Sequence, residues 1–481
     1  MNSKNKNNKK VLIVFFVIIL IGCLITVYFH INSEADSSIN IDSLIYPETS
    51  IDYNVSIDSN NIVTYNEVIN ITSSGTYVFT GDYENTQINI NVDKTVDKEA
   101  VYIVLNNANI TGIMESVINV IEAKDVVIMA YEDSINYISQ TYSTSDTTIS
   151  GAVIYSKSDL VINGTGTLYI DTNFNDGINS RDDLIIEDVK LIINSEADGI
   201  VGKDYIAVSG VNVTIEAGKD GIKTSNDLDT TLGDILIESG SFKITSTFDS
   251  ISAEGTIQIN GGNFVLESGG GYDGILKSLT VGEGGNGYTY ATTDTGSAKS
   301  IKANAIIISA GSFDISSYED AIHSDGDLNI KDGTFEIECG DDAIHANNNV
   351  EINGGIINVS NTYEGIEGNS ITVNGGVINI NALDDALNAS SSSGILIING
   401  GTIYLYSTGD GVDSNGDLTI NGGTIVIENE AVYTMGDYAI DVDGTITVNG
   451  GTIVDENGND IDYTTVMHSS QNQINGPSGR R

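Results

Sequence analysis

Residues 320–346 read DAIHSDGDLNIKDGTFEIECGDDAIHA. An acid, a small residue, Ile, His and another small residue open the stretch at Asp320, and the phrase returns at Asp342. Between the copies, Thr334-Phe335-Glu336-Ile337-Glu338-Cys339 alternates polar and apolar. That is the period of a strand, not of a helix.

Working outward, the phrase recurs as Asp176-Gly177-Ile178, Asp198-Gly199-Ile200, Asp220-Gly221-Ile222, Glu364-Gly365-Ile366 and Asp385-Ala386-Leu387. Its aliphatic residue falls at 154, 178, 200, 222, 251, 275, 301, 322, 344, 366, 387, 412 and 440, which makes thirteen repeats with a period near 22. A fixed period of this size means a solenoid. Short strands and Asn-Gly-Gly bends, with Gly supplying positive φ, make each repeat one coil of an all-β parallel β-helix. A leucine-rich repeat has similar length but needs a Leu-rich helical segment, and none is present. Asn163, Asn260, Asn353, Asn374, Asn399, Asn421 and Asn449 share one bend position. Stacked Asn side chains can both donate and accept there. The organisation read from the chain is residues 1–30 as tip and anchor, 31–59 as linker and cap, and 60–455 as solenoid. Residues 278–298 form an inserted loop, and 456–481 a polar tail.

The net charge is −47 over 481 residues, from 67 acidic and 20 basic side chains. Such a field repels phosphate and excludes nucleic acid as a partner. It favours cations, or neutral and cation-bridged ligands. Disorder is excluded by 40% apolar residues. Four Lys precede an apolar run from Val11 to Phe29, long enough to span a bilayer with the bulk of the chain outside. Leu20-Ile21-Gly22-Cys23 also resembles a lipobox, which would lipidate Cys23. Either reading places the solenoid at the extracellular face of a membrane, tethered through residues 11–29. With Cys339 the only other cysteine, no intrachain disulfide framework arises outside the anchor.

Two columns carry the candidate chemistry. Two residues before each aliphatic position stand Asp176, Asp198, Asp220, Asp249, Asp273, Lys299, Asp320, Asp342, Glu364, Asp385, Asp410 and Tyr438. Stacked carboxylates repel, so something must offset the charge. Each Asp can cap main-chain N–H groups of its own turn. Alternatively, Ca²⁺ bridges them, since hard oxygen ligands suit it. The metal expectation centres on doubled acids: Glu319 with Asp320, Asp341 with Asp342, and Asp384 with Asp385, with Glu364 between. One residue after the aliphatic position, Lys302, His323, His345 and Glu367 follow on consecutive coils, which strand alternation turns outward. With Lys299, Tyr318 and Tyr363 they form a candidate carbohydrate-binding strip; a plain solvated face is the competing reading.

Ser297-Ala298-Lys299-Ser300-Ile301-Lys302-Ala303, Asp320-Ala321-Ile322-His323-Ser324, Asp342-Ala343-Ile344-His345-Ala346, Tyr363-Glu364-Gly365-Ile366-Glu367-Gly368 and Asp384-Asp385-Ala386-Leu387-Asn388-Ala389 stand in order. In these motifs the chain resembles the bacterial carbohydrate-binding right-handed parallel β-helix family, whose founding member binds cellulose and polygalacturonate. The resemblance implies a pectate-lyase-like fold, bound Ca²⁺ and binding without established cleavage. Ser300 and Ser250 depart from the family's Gly. Ca²⁺-assisted binding of polysaccharide at the cell surface is the expected function. A Ca²⁺-dependent lyase with Lys299 as base, and a structural spacer or adhesin, are the alternatives.

Overall fold

The computed structural model describes Leu44 and residues 59–64, 66–144, 151–274, 297–429 and 438–461. The anchor expected at 11–29, Cys23, nearly all of the inserted loop and most of the polar tail lie outside them. Among the described residues no helix is long and apolar enough to cross a membrane.

The repeat phrase folds into a right-handed parallel β-solenoid of about 14 turns. Every coil lays down a short strand on each of three faces, and each strand pairs in parallel with its counterpart one coil on. The first sheet is built on the aliphatic column. Its register runs Ile69, Ile88, Ile118, Ile154, Ile178, Ile200, Ile222, Ile251, Ile301, Ile322, Ile344, Ile366, Leu387, Val412, Ile440. All fifteen are buried. The first coils therefore begin well before residue 150, within the irregular stretch.

One expected coil is absent. Ile251 pairs directly with Ile301, so no coil stands between them and Asp273 leaves the acidic column; Ile275 lies outside the described residues. Spacing alone could not show this, because an insertion longer than one period can carry an aliphatic residue at the right interval by chance.

The bend Asn residues act as the sequence suggests along the C-terminal half. Asn374 donates to Asn353 at 2.8 Å, Asn399 to Asn374 at 2.7 Å, Asn421 to Asn399 at 2.7 Å and Asn449 to Asn421 at 2.8 Å. Asn260 instead donates to Glu238, and the Asn163 Oδ1 accepts nothing. After the bend, Gly311 and Gly333 adopt φ of 139°. A Cβ at Gly311 would lie 2.8 Å from the Phe313 ring, so bend and core are selected together. Phe242, Phe264, Phe313 and Phe335 stack inside with centroids 4.8, 4.7 and 4.6 Å apart.

Cys339 is fully buried, as expected of a small apolar residue, but its Sγ also faces the Thr362 hydroxyl at 3.2 Å. It replaces a hydroxyl in a column that includes Ser268 and Ser317. Burial pushes its thiol pKa up, which keeps it unreactive. Beyond the last strand, Thr452–Asp455, the chain turns back and pairs Val454 with Asp460 antiparallel. This short return covers part of the terminal edge.

The Phe stack sets the packing of four coils. Phe313→Ala should cost about 3–5 kcal/mol, measured by equilibrium denaturation, because its neighbours are held by strand pairing and cannot collapse onto the space. The exposed Lys331→Ala should stay within about 0.5 kcal/mol. Equal effects would contradict this account of the core.

Candidate functional site

The acidic column lies at the corner leading into the first sheet. The residue between acid and Ile must be small: a Cβ at Gly221 would meet Ile244 Cγ2 at 2.4 Å. The two serines that depart from the pattern fit because their hydroxyls are engaged. Ser250 faces Ser246 at 3.1 Å, and Ser300 faces Ser268 at 3.0 Å.

The carboxylates do not cap their own turns. Seven of them receive the main-chain N–H of the counterpart one coil later, beginning with Asp198 N to Asp176 at 3.3 Å, Asp220 N to Asp198 at 3.0 Å and Asp249 N to Asp220 at 3.0 Å. Lys299 N donates to Asp249 at 2.9 Å, so the column passes straight over the insertion. Asp342 N donates to Asp320, Asp410 N to Asp385, and Tyr438 N to Asp410. These bonds replace the strand ladder where the chain turns, and they correct the expectation of own-turn caps.

The other carboxylate oxygen is taken from within the phrase. Asn179, Lys223, His323 and His345 each reach back three residues, to Asp176 at 2.8 Å, Asp220 at 2.7 Å, Asp320 at 2.7 Å and Asp342 at 2.8 Å. The outward column is thus folded onto the acidic one, and the His323 side chain is only 13% exposed. The imidazoles of His323 and His345 stack at 4.7 Å. Their Nε2 atoms face Asp325 and Asn347.

Lys299 binds Asp320 at 2.5 Å and approaches Glu319 at 3.8 Å. Burial works against its charge, Asp320 outweighs burial, and its pKa rises. Burial likewise opposes ionisation of Asp320, but hydrogen bonds from His323 and Lys299 hold its pKa below the usual carboxylate range. One coil on, burial raises Asp342. His345 Nδ1 lies 2.8 Å from Asp342 and 3.0 Å from Glu367. Burial disfavours its charge, yet the two carboxyl partners push it up to about 11. Glu367 is lowered, against burial, by His345.

Among the described residues, three clusters place ligand atoms within 4.8 Å of one another: Asp342–His345–Glu367, Asp320–Asp341–Asp342 and Asp385–Asp410–Asp413. In the first, the His345 Nδ1 is already engaged by both Asp342 and Glu367. In the second, Asp320 already holds Lys299 and His323. The third is the best hard-cation donor set, with three carboxylates and no cationic side chain in the cluster. Burial and Asp384 push Asp385 up to about 9; burial and Asp441 push Asp413 up to about 6. The sequence places Asp410 in the acidic column and Asp413, one residue after Val412, in the outward one, and assigns neither as a ligand. Their signal was the register pair Asn388 with Asp413, which puts that carboxylate one coil above Asn388, beside Asp385.

Other candidates fall elsewhere. Glu319 accepts Ala298 N at 3.1 Å, Glu364 accepts Asn388 at 2.8 Å, and Asp384 bonds Tyr363. None joins those clusters. Tyr363 and Lys302 are part-exposed beside the strip, while Tyr318 packs its Cβ against Gly269.

A family model described as carbohydrate-binding domain-containing protein matches residues 65–343 and 341–476. A carbohydrate-binding domain-containing protein of Acetivibrio thermocellus is 34% identical over 122 residues, covering 24% of this chain and 42% of the relative. The chain therefore spans less than half of that relative's length. A solved structure of the polysaccharide lyase-like protein from C. thermocellum, a gadolinium derivative, is 30% identical. It covers 41% of this chain and 79% of its own, with a TM-score of 0.39.

The column makes stability depend on pH. Asp385 is raised from an unfolded value of about 4 to about 9. Its contribution is fully present below about pH 4 and is lost as pH rises through about 9. Asp385→Asn keeps the acceptor for Asp410 N without the charge. In chelator, its thermal midpoint relative to the parent chain should climb between those limits; a constant difference would refute the assignment.

Proposed function

The chain belongs to the carbohydrate-binding domain-containing family, and from that premise we propose that it is a surface-tethered module binding acidic polysaccharide with the help of Ca²⁺. The observation that carries the reading is the row of side chains Lys299, His323, His345 and Glu367. They are fixed by second partners and repeat at the coil spacing along one face. A polymer of similar repeat lying along the axis meets the same chemistry at each coil. Preorganised groups lose little conformational entropy when they engage a sugar.

Ca²⁺ would be held by Asp385, Asp410 and Asp413, whose oxygens and burial suit a hard cation. It would supply positive charge where an anionic glycan must approach a chain of net charge −47. Because Asp385 and Asp413 are raised, binding would release protons. Tethering through residues 11–29 would keep the solenoid at the cell surface. The hold of Asp320 on Lys299 favours binding over cleavage, since an ammonium locked in an ion pair is a poor general base.

Isothermal titration of the full chain with polygalacturonate tests this directly. Binding should appear with Ca²⁺ and weaken at least tenfold in chelator, or in Asp385→Asn/Asp413→Asn with Ca²⁺ present. No binding at any Ca²⁺ level would overturn the proposal. Release of unsaturated product would replace it with a lyase.

A further inference from the structure

A different sheet carries a feature that the acidic column does not use. On the third face the outward register runs Asp82, Asn109, Tyr137, Tyr169, Ile192. The Tyr137 and Tyr169 rings stack at 4.7 Å with 12° between planes. Since adjacent rungs are about 4.8 Å apart, the ring normals follow the helix axis. One face of Tyr137 is covered by Tyr169. The other looks toward the preceding coil, where the register partner is the much shorter Asn109. The step between them opens a groove of 590 Å³, bounded by Asn107, Asn109, Ile135, Tyr137, Ser139 and Asp171. Tyr137 is 46% exposed and Ile135 52%.

The same step occurs again on this sheet. Asn379 is the register partner of Tyr404, and Tyr404 is 47% exposed. A groove of 190 Å³ opens there, lined by Asn379, Asn381, Tyr404, Tyr406, Val426 and Glu428. Ten rungs separate Tyr137 from Tyr404, roughly 48 Å along the axis.

We infer that these two Asn-to-Tyr steps are subsites for a neutral polysaccharide, separate from the acidic strip. Sugar rings present an apolar face of C–H groups and an equatorial belt of hydroxyls. A Tyr face beside amide side chains offers a partner for each. Neither groove is lined by a Lys or Arg. The carboxylate in the first, Asp171, already accepts Asn194 at 2.7 Å. An anionic glycan would meet repulsion there, and a cationic one only a single occupied acid. A cross-strand aromatic pair alone can stabilise a sheet. It does not require an open ring face, a groove beneath it, or the repetition of both at a second site. Two weak subsites on one rigid face would favour a long polymer over an oligomer through effective concentration.

The test uses the full chain in chelator, which removes the proposed Ca²⁺ contribution, with cellohexaose, xylohexaose and mannohexaose as probes. At least one should bind, and Tyr137→Ala/Tyr169→Ala should weaken it at least tenfold. Asn109→Tyr provides a variant that cannot be explained by misfolding. It extends the ring stack, so a structural role predicts equal or higher stability with unchanged binding, whereas the inference predicts that the filled groove no longer binds. Asp385→Asn/Asp413→Asn should leave neutral-oligomer binding unchanged. No binding by any probe overturns the inference, as does undiminished binding by both groove variants. Loss of polygalacturonate binding with neutral binding retained would sink the proposed function alone.

Discussion

Every coil must pass its main-chain N–H and C=O groups to the next, because a buried unpaired amide costs as much as a lost hydrogen bond. Along the strands the ladder does this without side chains. At the corner before the aliphatic column the chain turns, and a carboxylate oxygen takes the place of a carbonyl. That single substitution explains why an acid recurs there, why its neighbour is Gly, Ala or Ser, and why its second oxygen needs a donor three residues on. Lys299 obeys the same rule from the other side. Its N–H is received by Asp249, and its ammonium serves Asp320 above it.

The arrangement has an electrostatic consequence. A caps-only column needs acceptors, not charge, and a protonated carboxyl still accepts through its carbonyl oxygen. The buried acids therefore divide by what faces them. Lys299 and His323 hold Asp320 low against burial, whereas burial, with other acids adding to it, raises Asp342 and Asp385. The C-terminal part of the column, where Asp385, Asp410 and Asp413 converge, has no basic side chain in its cluster to settle the charge, and this sets it apart as the place suited to an external cation.

Much of the solenoid was legible because its signal is periodic. The aliphatic column needs no knowledge of register beyond a constant interval, and the Asn bend repeats with it. The failures share a cause: they concern which coil a residue faces. A coil at Ile275 had the right spacing, and only the direct pairing of Ile251 with Ile301 shows that the stack continues without it. The caps were assigned to their own turns because sequence shows neighbours along the chain, not neighbours along the stack. His323 and His345 do point away from the core, as strand alternation reads, but the sequence does not show that each also reaches back to its acid three residues earlier. Tyr137 and Tyr169 were passed over because a long insertion between rungs separates them in sequence.

Two recognition surfaces on one solenoid are compatible because the fold keeps them mechanically independent. Stacked repeats contact only their neighbours, and the sheets share a core but not their outward side chains. The acidic corner is built from groups that satisfy one another, so a ligand there must compete with existing hydrogen bonds or arrive with a cation. On the third sheet Asn109 already donates to Asp82 and Asn379 to Asn358, while the Tyr rings border open grooves. The proposed grooves hold no Lys or Arg, and their carboxylates are Asp171, which accepts Asn194, and Glu428. The acidic corner, where carboxylates stack coil on coil, is left to respond to cations and pH.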